Sequence, residues 1–229
     1  MKTIGLLGGM SWESTVSYYQ VINRDVNRAL GGHHSARIAL ISLDFAEVEA
    51  FQHQGRWEDA AGLLADAAWR VQEAGADLIV LCTNTMHKVA RDIEKAVDIP
   101  LLHIADATAD ALIADGVKRV GLLGTCFTME QGFYKDRLEA YGIEVQVPEK
   151  AQRDQVHRII YDELCHGEIE QASRQVMLSI MEELKAGGAE AVILGCTEIA
   201  LLVAQADTEI PLYDTTAIHA RRAVELALG

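Results

Sequence analysis

The segment LIVLCTNTMHK (Leu78 to Lys88) ends an apolar run in Cys82, Thr83, Asn84 and Thr85. A second apolar run, EAVILG, ends in Cys196, Thr197 and Glu198. A thiol just past a buried strand can take or give a proton once its pKa is brought near neutrality, and a helix N-terminus can do that. Cys196 precedes an expected helix start, so its thiol is expected to be acidified there. In the first segment the question is whether Cys82 is a working thiol or whether Thr83 stands where the chemistry happens.

Several chemistries lack their residues. GLLGGM is rich in glycine but is not G-x-G-x-x-G, so a dinucleotide site is not indicated. There is no Walker-type phosphate loop and no G-x-S-x-G elbow. No C-x-x-C or H-x-x-x-H pair marks a zinc or dithiol site. A cysteine hydrolase would need a histidine beside its thiol. His87 is near Cys82 in sequence but is expected a helical turn into the next element. Cys126 and Cys165 read as buried structural thiols, and His33-His34 as a solvated pair in a glycine loop.

Eight strand-length apolar runs must position these groups: TIGLLG, ARIALISL, ADLIVLC, PLLHI, RVGLLG, IEVQV, EAVILG and PLYD. Between them lie segments of helical spacing, such as Trp57 to Glu73 and Asp154 to Cys165. Continuous apolar strands joined by helices imply buried parallel sheet, hence an α/β fold. The chain also repeats itself. KTIGLLGGM matches KRVGLLGTC, GADLIVLCTNT matches GAEAVILGCTE, and DIPLLHIADATADA matches EIPLYDTTAIHARRA, in one order and at nearly constant separation. This repeat pairs Thr83 with Cys196 and Cys82 with Gly195. Ligands of such sheets bind at the carboxyl ends of the strands. Those ends carry Gly8-Gly9-Met10-Ser11, Cys82 to Thr85, Gly124-Thr125-Cys126 and Gly195 to Glu198; ARIALISL leads on to Asp44 and Gln52.

The 229 residues, half of them hydrophobic, suffice for one large or two small domains. A net charge of −14 argues against nucleic acid or an anionic membrane surface as partner. No apolar run approaches the ~20 residues of a bilayer span. The opening MKTIGLLGGMSWES reads as a first strand and loop rather than a signal peptide. A cytoplasmic protein with four reduced cysteines is therefore expected.

KTIGLLGGM, the CTNTMH block, GCTE and the late IPLYDT together resemble the aspartate/glutamate racemase family, the group independent of pyridoxal phosphate. The pattern LIVLCTNTMHKVA is closest to the enterobacterial branch specific for L-aspartate and L-glutamate. The resemblance covers nearly the whole chain. It implies two Rossmann-like α/β domains related by pseudo-twofold symmetry, with the active-site cleft between them. The expected division is 1–99 with 211–229 as a discontinuous N-terminal domain and 100–210 as the C-terminal one. A homodimer, an amino-acid substrate, and neither cofactor nor metal are also implied.

The family's usual mechanism sets one cysteine on each face of the substrate Cα. Its first motif reads C-N-T, without the extra residue found here. Anchoring on Asn84-Thr85 puts Thr83 in the place of the usual cysteine, as the internal repeat does independently. Side chains alternate along a strand, so Cys82 and Thr83 should face opposite ways. Thr83 is the expected catalytic residue on that face, with Cys82 the alternative. A threonine hydroxyl is a poor base at neutral pH, which leaves Cys196 as the main base, acting on the L enantiomer. The resemblance further implies substrate-binding roles for Met10, Gln52, Asn84, Thr85, Thr125, Thr128 and Thr197, with Glu198 pairing the α-ammonium. Where some aspartate racemases grip the side-chain carboxylate with arginine and lysine, this sequence aligns Glu49 and Cys165, so other amino acids become possible substrates. Maleate isomerase, hydantoin racemase and arylmalonate decarboxylase are the related alternatives, and a two-lobed binding protein the non-enzymatic one.

Overall fold

A computed structural model describes residues 1–229. Each of the eight apolar runs contains a strand: β1 (Ile4–Gly8), β2 (Ile38–Ser42), β3 (Leu78–Leu81), β4 (Leu101–Leu102), β5 (Arg119–Gly124), β6 (Glu144–Gln146), β7 (Ala191–Gly195) and β8 (Leu212–Asp214). They form two four-stranded parallel sheets, ordered β2-β1-β3-β4 and β6-β5-β7-β8. The shared order is what the sequence repeat requires, because matching segments occupy matching strands. The α/β fold expected from the apolar runs is thus observed.

The helices are α1 (Trp12–Leu30), α2 (Phe45–Gln54), α3 (Trp57–Glu73), α4 (Ala90–Ala96), α5 (Ile104–Ala114), α6 (Cys126–Glu130), α7 (Gly132–Ala140), α8 (Lys150–Arg158), α9 (Gln171–Ala186), α10 (Ile199–Leu202) and α11 (Thr215–Leu228). The second helical segment departs from its expected form. Instead of one helix from Asp154 to Cys165, α8 gives way to a wide π turn over Ile159–Glu163 and a tight 3-10 turn over Leu164–His166. That change of winding buries Ile159, Ile160 and Leu164 together against Val156, Met177 and Ile180. None of the helices is long and apolar enough to cross a membrane.

The chain divides into two compact units, Met1–Ile104 with His219–Gly229, and Ala105–Ile218. The boundaries drawn from sequence stood before β4 and before β8. The changes of unit fall after them, since β4 completes the first sheet beside β3 and β8 the second beside β7. A parallel edge strand is hydrogen-bonded to its neighbour all along, so the chain leaves a sheet more readily at the following helix.

In the first unit the alternation of β3 sorts its side chains cleanly. Leu78, Val80 and Cys82 join Ile4 and Leu6 in packing on Tyr18, Ile22 and Val26 of α1 and on Ala220 and Ala223 of α11. Ile79 and Leu81 join Leu7 on the other side, against Leu64, Ala67, Ala68 and Val71 of α3. Fully burying one Leu, Ile or Val is worth about 1.5–3 kcal/mol, so these two layers hold the strand end rigidly. At the end of β1 the chain turns at Gly9 with φ +90°, where a Cβ would collide with the main chain of Leu43. Only glycine fits that turn.

Candidate active site

At the carboxyl end of β3, the Cys82 N–H still donates to Leu7 of β1 (2.9 Å), but the Thr83 N–H folds back onto the Leu81 carbonyl (2.9 Å). The strand therefore breaks between the two residues. Cys82 is fully buried in the apolar layer under α1 and α11, and burial alone drives its thiol pKa far upward. Thr83, Asn84 and Thr85 follow, each at the margin of burial (8, 4 and 6 % exposed), and Thr85 opens a 3-10 turn over Thr85–Val89.

The same strand ends gather Met10 and Gln52. Met10 packs into the layer under α3, and Gln52, on α2, donates from Nε2 to the Met86 sulfur at 3.0 Å. Glu49 lies on the more open part of α2, where His53 sits 3.1 Å from its carboxylate.

In the second unit Thr125 follows β5 and Cys196 follows β7. Their strands are adjacent, with Gly124 beside Gly195. Gly195 is required by space: a Cβ would meet Leu122 Cδ1 at 2.8 Å and the Leu123 carbonyl oxygen at 2.9 Å. The Thr125 hydroxyl caps α6 by accepting from the Thr128 N–H (3.3 Å), and the two threonine hydroxyls lie 3.3 Å apart. Both threonines are buried.

The Cys196 thiol donates to Glu198 Oε2 at 2.9 Å, and the Thr197 hydroxyl donates to the same oxygen at 2.6 Å. The Glu198 carboxylate is buried. Burial first, and then the Glu198 charge and the neighbouring Cys165, raise the Cys196 thiol well above its ordinary value. This corrects the expectation of a thiol acidified by a helix. The helix in question, α10, has a single turn (Ile199–Leu202), too short to carry an appreciable dipole, and a carboxylate faces the sulfur instead. Cys196 is thus a thiol whose hydrogen bond is accepted by Glu198.

Cys165, aligned with a missing lysine, packs with Cys196 on the core of the second unit. Cys126 lies with Glu130 and Asp154 in a group whose ligand atoms are within 4.8 Å of one another. Arg153 already pairs with Glu130 (2.9 Å) and Lys150 with Asp154 (2.7 Å), so this group is a neutralised surface cluster.

Sequence reasoning set His87 aside, yet its ring lies directly behind Thr83: Nδ1 is 2.8 Å from the Thr83 carbonyl. His103 and His219 meet it edge-on, with ring centroids 4.5 and 5.7 Å from that of His87. The spacing of four residues from Thr83 to His87 was a usable signal; nothing in the sequence brings His219 there.

Comparison with known proteins agrees with this architecture. The Asp/Glu/Hydantoin racemase family profile matches residues 7–223. The crystal structure of a Yersinia pestis protein assigned as an Asp/Glu racemase shares 54% identity over the whole of both chains, with a TM-score of 0.94. That of an aspartate racemase homologue from Pyrococcus horikoshii shares 35% identity, again over both whole chains, with a TM-score of 0.86. The broad specificity amino-acid racemase RacX of Bacillus subtilis is 28% identical over 168 residues, covering 72% of this chain and 71% of its own. A match of this extent in sequence and in fold has one meaning: the chain belongs to the Asp/Glu/Hydantoin racemase family.

Proposed function

We propose that the protein interconverts the L and D forms of aspartate and glutamate by removing and returning the Cα proton without a cofactor. The observation that carries this reading is the pairing of Cys196 with Glu198 at the end of β7, matched at the end of β3 by Thr83 and not by the buried Cys82.

The chemistry follows from these groups. The Cys196 thiol proton passes to the Glu198 carboxylate along the existing hydrogen bond, and the thiolate formed removes the α-proton of the L enantiomer. The positive α-ammonium of a bound substrate stabilises the thiolate that forms. Hydrogen-bond donors on the substrate carboxylate, from Asn84, Thr85 and Thr125 among others, stabilise the charge that develops there. A proton then returns to the opposite face of Cα from the Thr83 hydroxyl, or from a water bound to it. Thr83 recovers a proton from solvent, Glu198 releases to solvent the proton it took, and Cys196 keeps the former α-proton as its thiol proton. A weak base on one face and a strong one on the other make solvent exchange, not equilibrium racemisation, the asymmetric quantity, since enantiomers have equal free energy.

Incubating each enantiomer in D₂O tests this reading. Fast deuterium incorporation from the L forms and slow incorporation from the D forms is expected. Equal fast incorporation from both would require two competent bases. No incorporation from any amino acid would leave a binding protein.

A second reading, broad specificity, is favoured by Glu49, an acidic side chain paired with His53 that offers no cation to a substrate carboxylate. A panel including basic and neutral amino acids separates the two. The same proposal takes the protein as a cytoplasmic homodimer, which sedimentation of the purified protein and cell fractionation test.

A further inference from the structure

Behind Thr83 lies a buried histidine network that the reaction as written does not use. His87, His103 and His219 are 2, 3 and 0 % exposed. The hydrogen bonds decide where two of the rings carry their protons. The Ile104 N–H points at His87 Nε2 (3.2 Å), so Nε2 accepts and the proton must sit on Nδ1, which donates to the Thr83 carbonyl at 2.8 Å. For His219 the Leu102 carbonyl, which can only accept, lies 2.9 Å from Nε2; that nitrogen donates, and Nδ1 accepts from the Tyr18 hydroxyl at 2.8 Å. His87 is thus held as the Nδ1–H form.

The reason for this arrangement is local. In an α-helix the N–H of residue 87 would satisfy the carbonyl of residue 83. Here the turn is 3-10, and the His87 N–H goes to the Asn84 carbonyl (3.1 Å). The Thr83 carbonyl would lose its main-chain partner in a buried place, and the imidazole of the same residue 87 replaces it. The other ring nitrogen takes the N–H of Ile104, the last residue before the chain leaves the first unit. His219, the first residue after the chain returns, sits edge-on to the same ring.

We propose that His87 is a positioning residue for Thr83: by donating its Nδ1–H to the carbonyl of residue 83, with the Ile104 N–H fixing which ring nitrogen carries that proton, it fixes the direction of the Thr83 hydroxyl and so governs return of the proton to the second face of the substrate. This inference rests on the assignment of Thr83 to that face. Misplacing a reacting group by about 1 Å can cost on the order of 100-fold. The loss should fall on inversion, because His87 bonds to Thr83 while Cys196 keeps its own acceptor, Glu198.

Two substitutions separate the two ring nitrogens. His87→Asn retains a donor near the Nδ1 position, for the Thr83 carbonyl. His87→Gln retains an acceptor near the Nε2 position, for Ile104, and loses the donor. The measurement is the partition of L-aspartate in D₂O between deuterium exchange with retention and inversion to D-aspartate, with KM recorded for each variant. In His87→Gln inversion should fall about tenfold or more relative to exchange, with KM little changed, while His87→Asn stays within about threefold of the parent. Nitrogen-15 NMR of the parent protein should show the His87 proton on Nδ1. A Gln variant with the parent's partition, or an Asn variant as impaired as the Gln one, overturns the proposal. So does a proton on Nε2, a result that stands even if the Gln variant does not fold. Thr83→Ala is the control. If it leaves inversion intact, the assignment of Thr83 fails and the positioning role fails with it. If it lowers inversion while His87→Gln does not, only the role of His87 is lost.

Discussion

The ends of β3 and β7 occupy the same place in two sheets of the same strand order, yet they solve different packing problems. After β7, a side chain at residue 195 would strike Leu122 and the Leu123 carbonyl, so glycine stands there and the thiol comes one residue later, at Cys196. After β3, the layer under α1 and α11 has room for a sulfur, and Cys82 fills it. The next residue, Thr83, then takes the place corresponding to Cys196, without a carboxylate two residues on. One end therefore carries a thiol hydrogen-bonded to Glu198; the other carries a threonine whose carbonyl accepts from His87. A repeated fold holds both in position, and the chemistry of each end depends on a few neighbouring side chains.

This contrast can be broken by substitution. Cys196→Ala should have the largest effect, a loss of about 10²–10⁴-fold in α-proton exchange from the L enantiomers, read by proton NMR in D₂O. Thr83→Ala should lower inversion by about tenfold or more while leaving exchange with retention largely in place, read by chiral chromatography beside NMR. If both quantities fell together, the two strand ends would not be doing separate work.

Glu198→Gln sharpens the comparison from the other side. Glu198 raises the Cys196 thiol, so removing its charge lowers that pKa. The limb of the kcat/KM profile that reports thiol ionisation should move to lower pH, at a reduced maximum because the proton acceptor is gone. A limb that stays in place would detach Glu198 from the sulfur.

The histidine network should show in stability. Burial pushes His219 down to about 4 from an ordinary value of 6.5, the Leu102 carbonyl opposing only in part. The unfolded chain binds this proton below pH 6.5 and the folded one does not until about pH 4. Unfolding free energy should therefore rise with pH across that interval, by about 3 kcal/mol for this residue. Urea titrations at several pH values measure it, and His219→Phe should flatten the slope. The smallest effect is expected for Cys82→Ala. Racemisation should stay within about twofold, and stability should fall by about 1–2 kcal/mol for the small cavity left. A large loss of activity there would return Cys82 to the reaction.

The parallel sheets were legible because their strands are continuous apolar runs, and the repeat was legible because the same runs recur in one order. Strand alternation put Cys82 on the side of β3 under α1 and α11, but the chain folds back before Thr83, so alternation does not place the threonine. Helix winding was less legible: nothing in Asp154 to Cys165 announces a π turn, which arises from burying Ile159, Ile160 and Leu164 together.

The sequence by itself determined which residues end each strand, and hence that a threonine and a cysteine stand at corresponding places. Only the tertiary structure decided the protonation of those groups. The Cys196 thiol is raised because burial and the side chain of Glu198 act on it at once, and a helix start read from sequence pointed the other way. His87 is held in one tautomer because Ile104, 17 residues on, brings an N–H to its ring, and His219 because Tyr18 meets it from 201 residues away. Proton affinity depends on distances between side chains, and those distances exist only once the chain has folded.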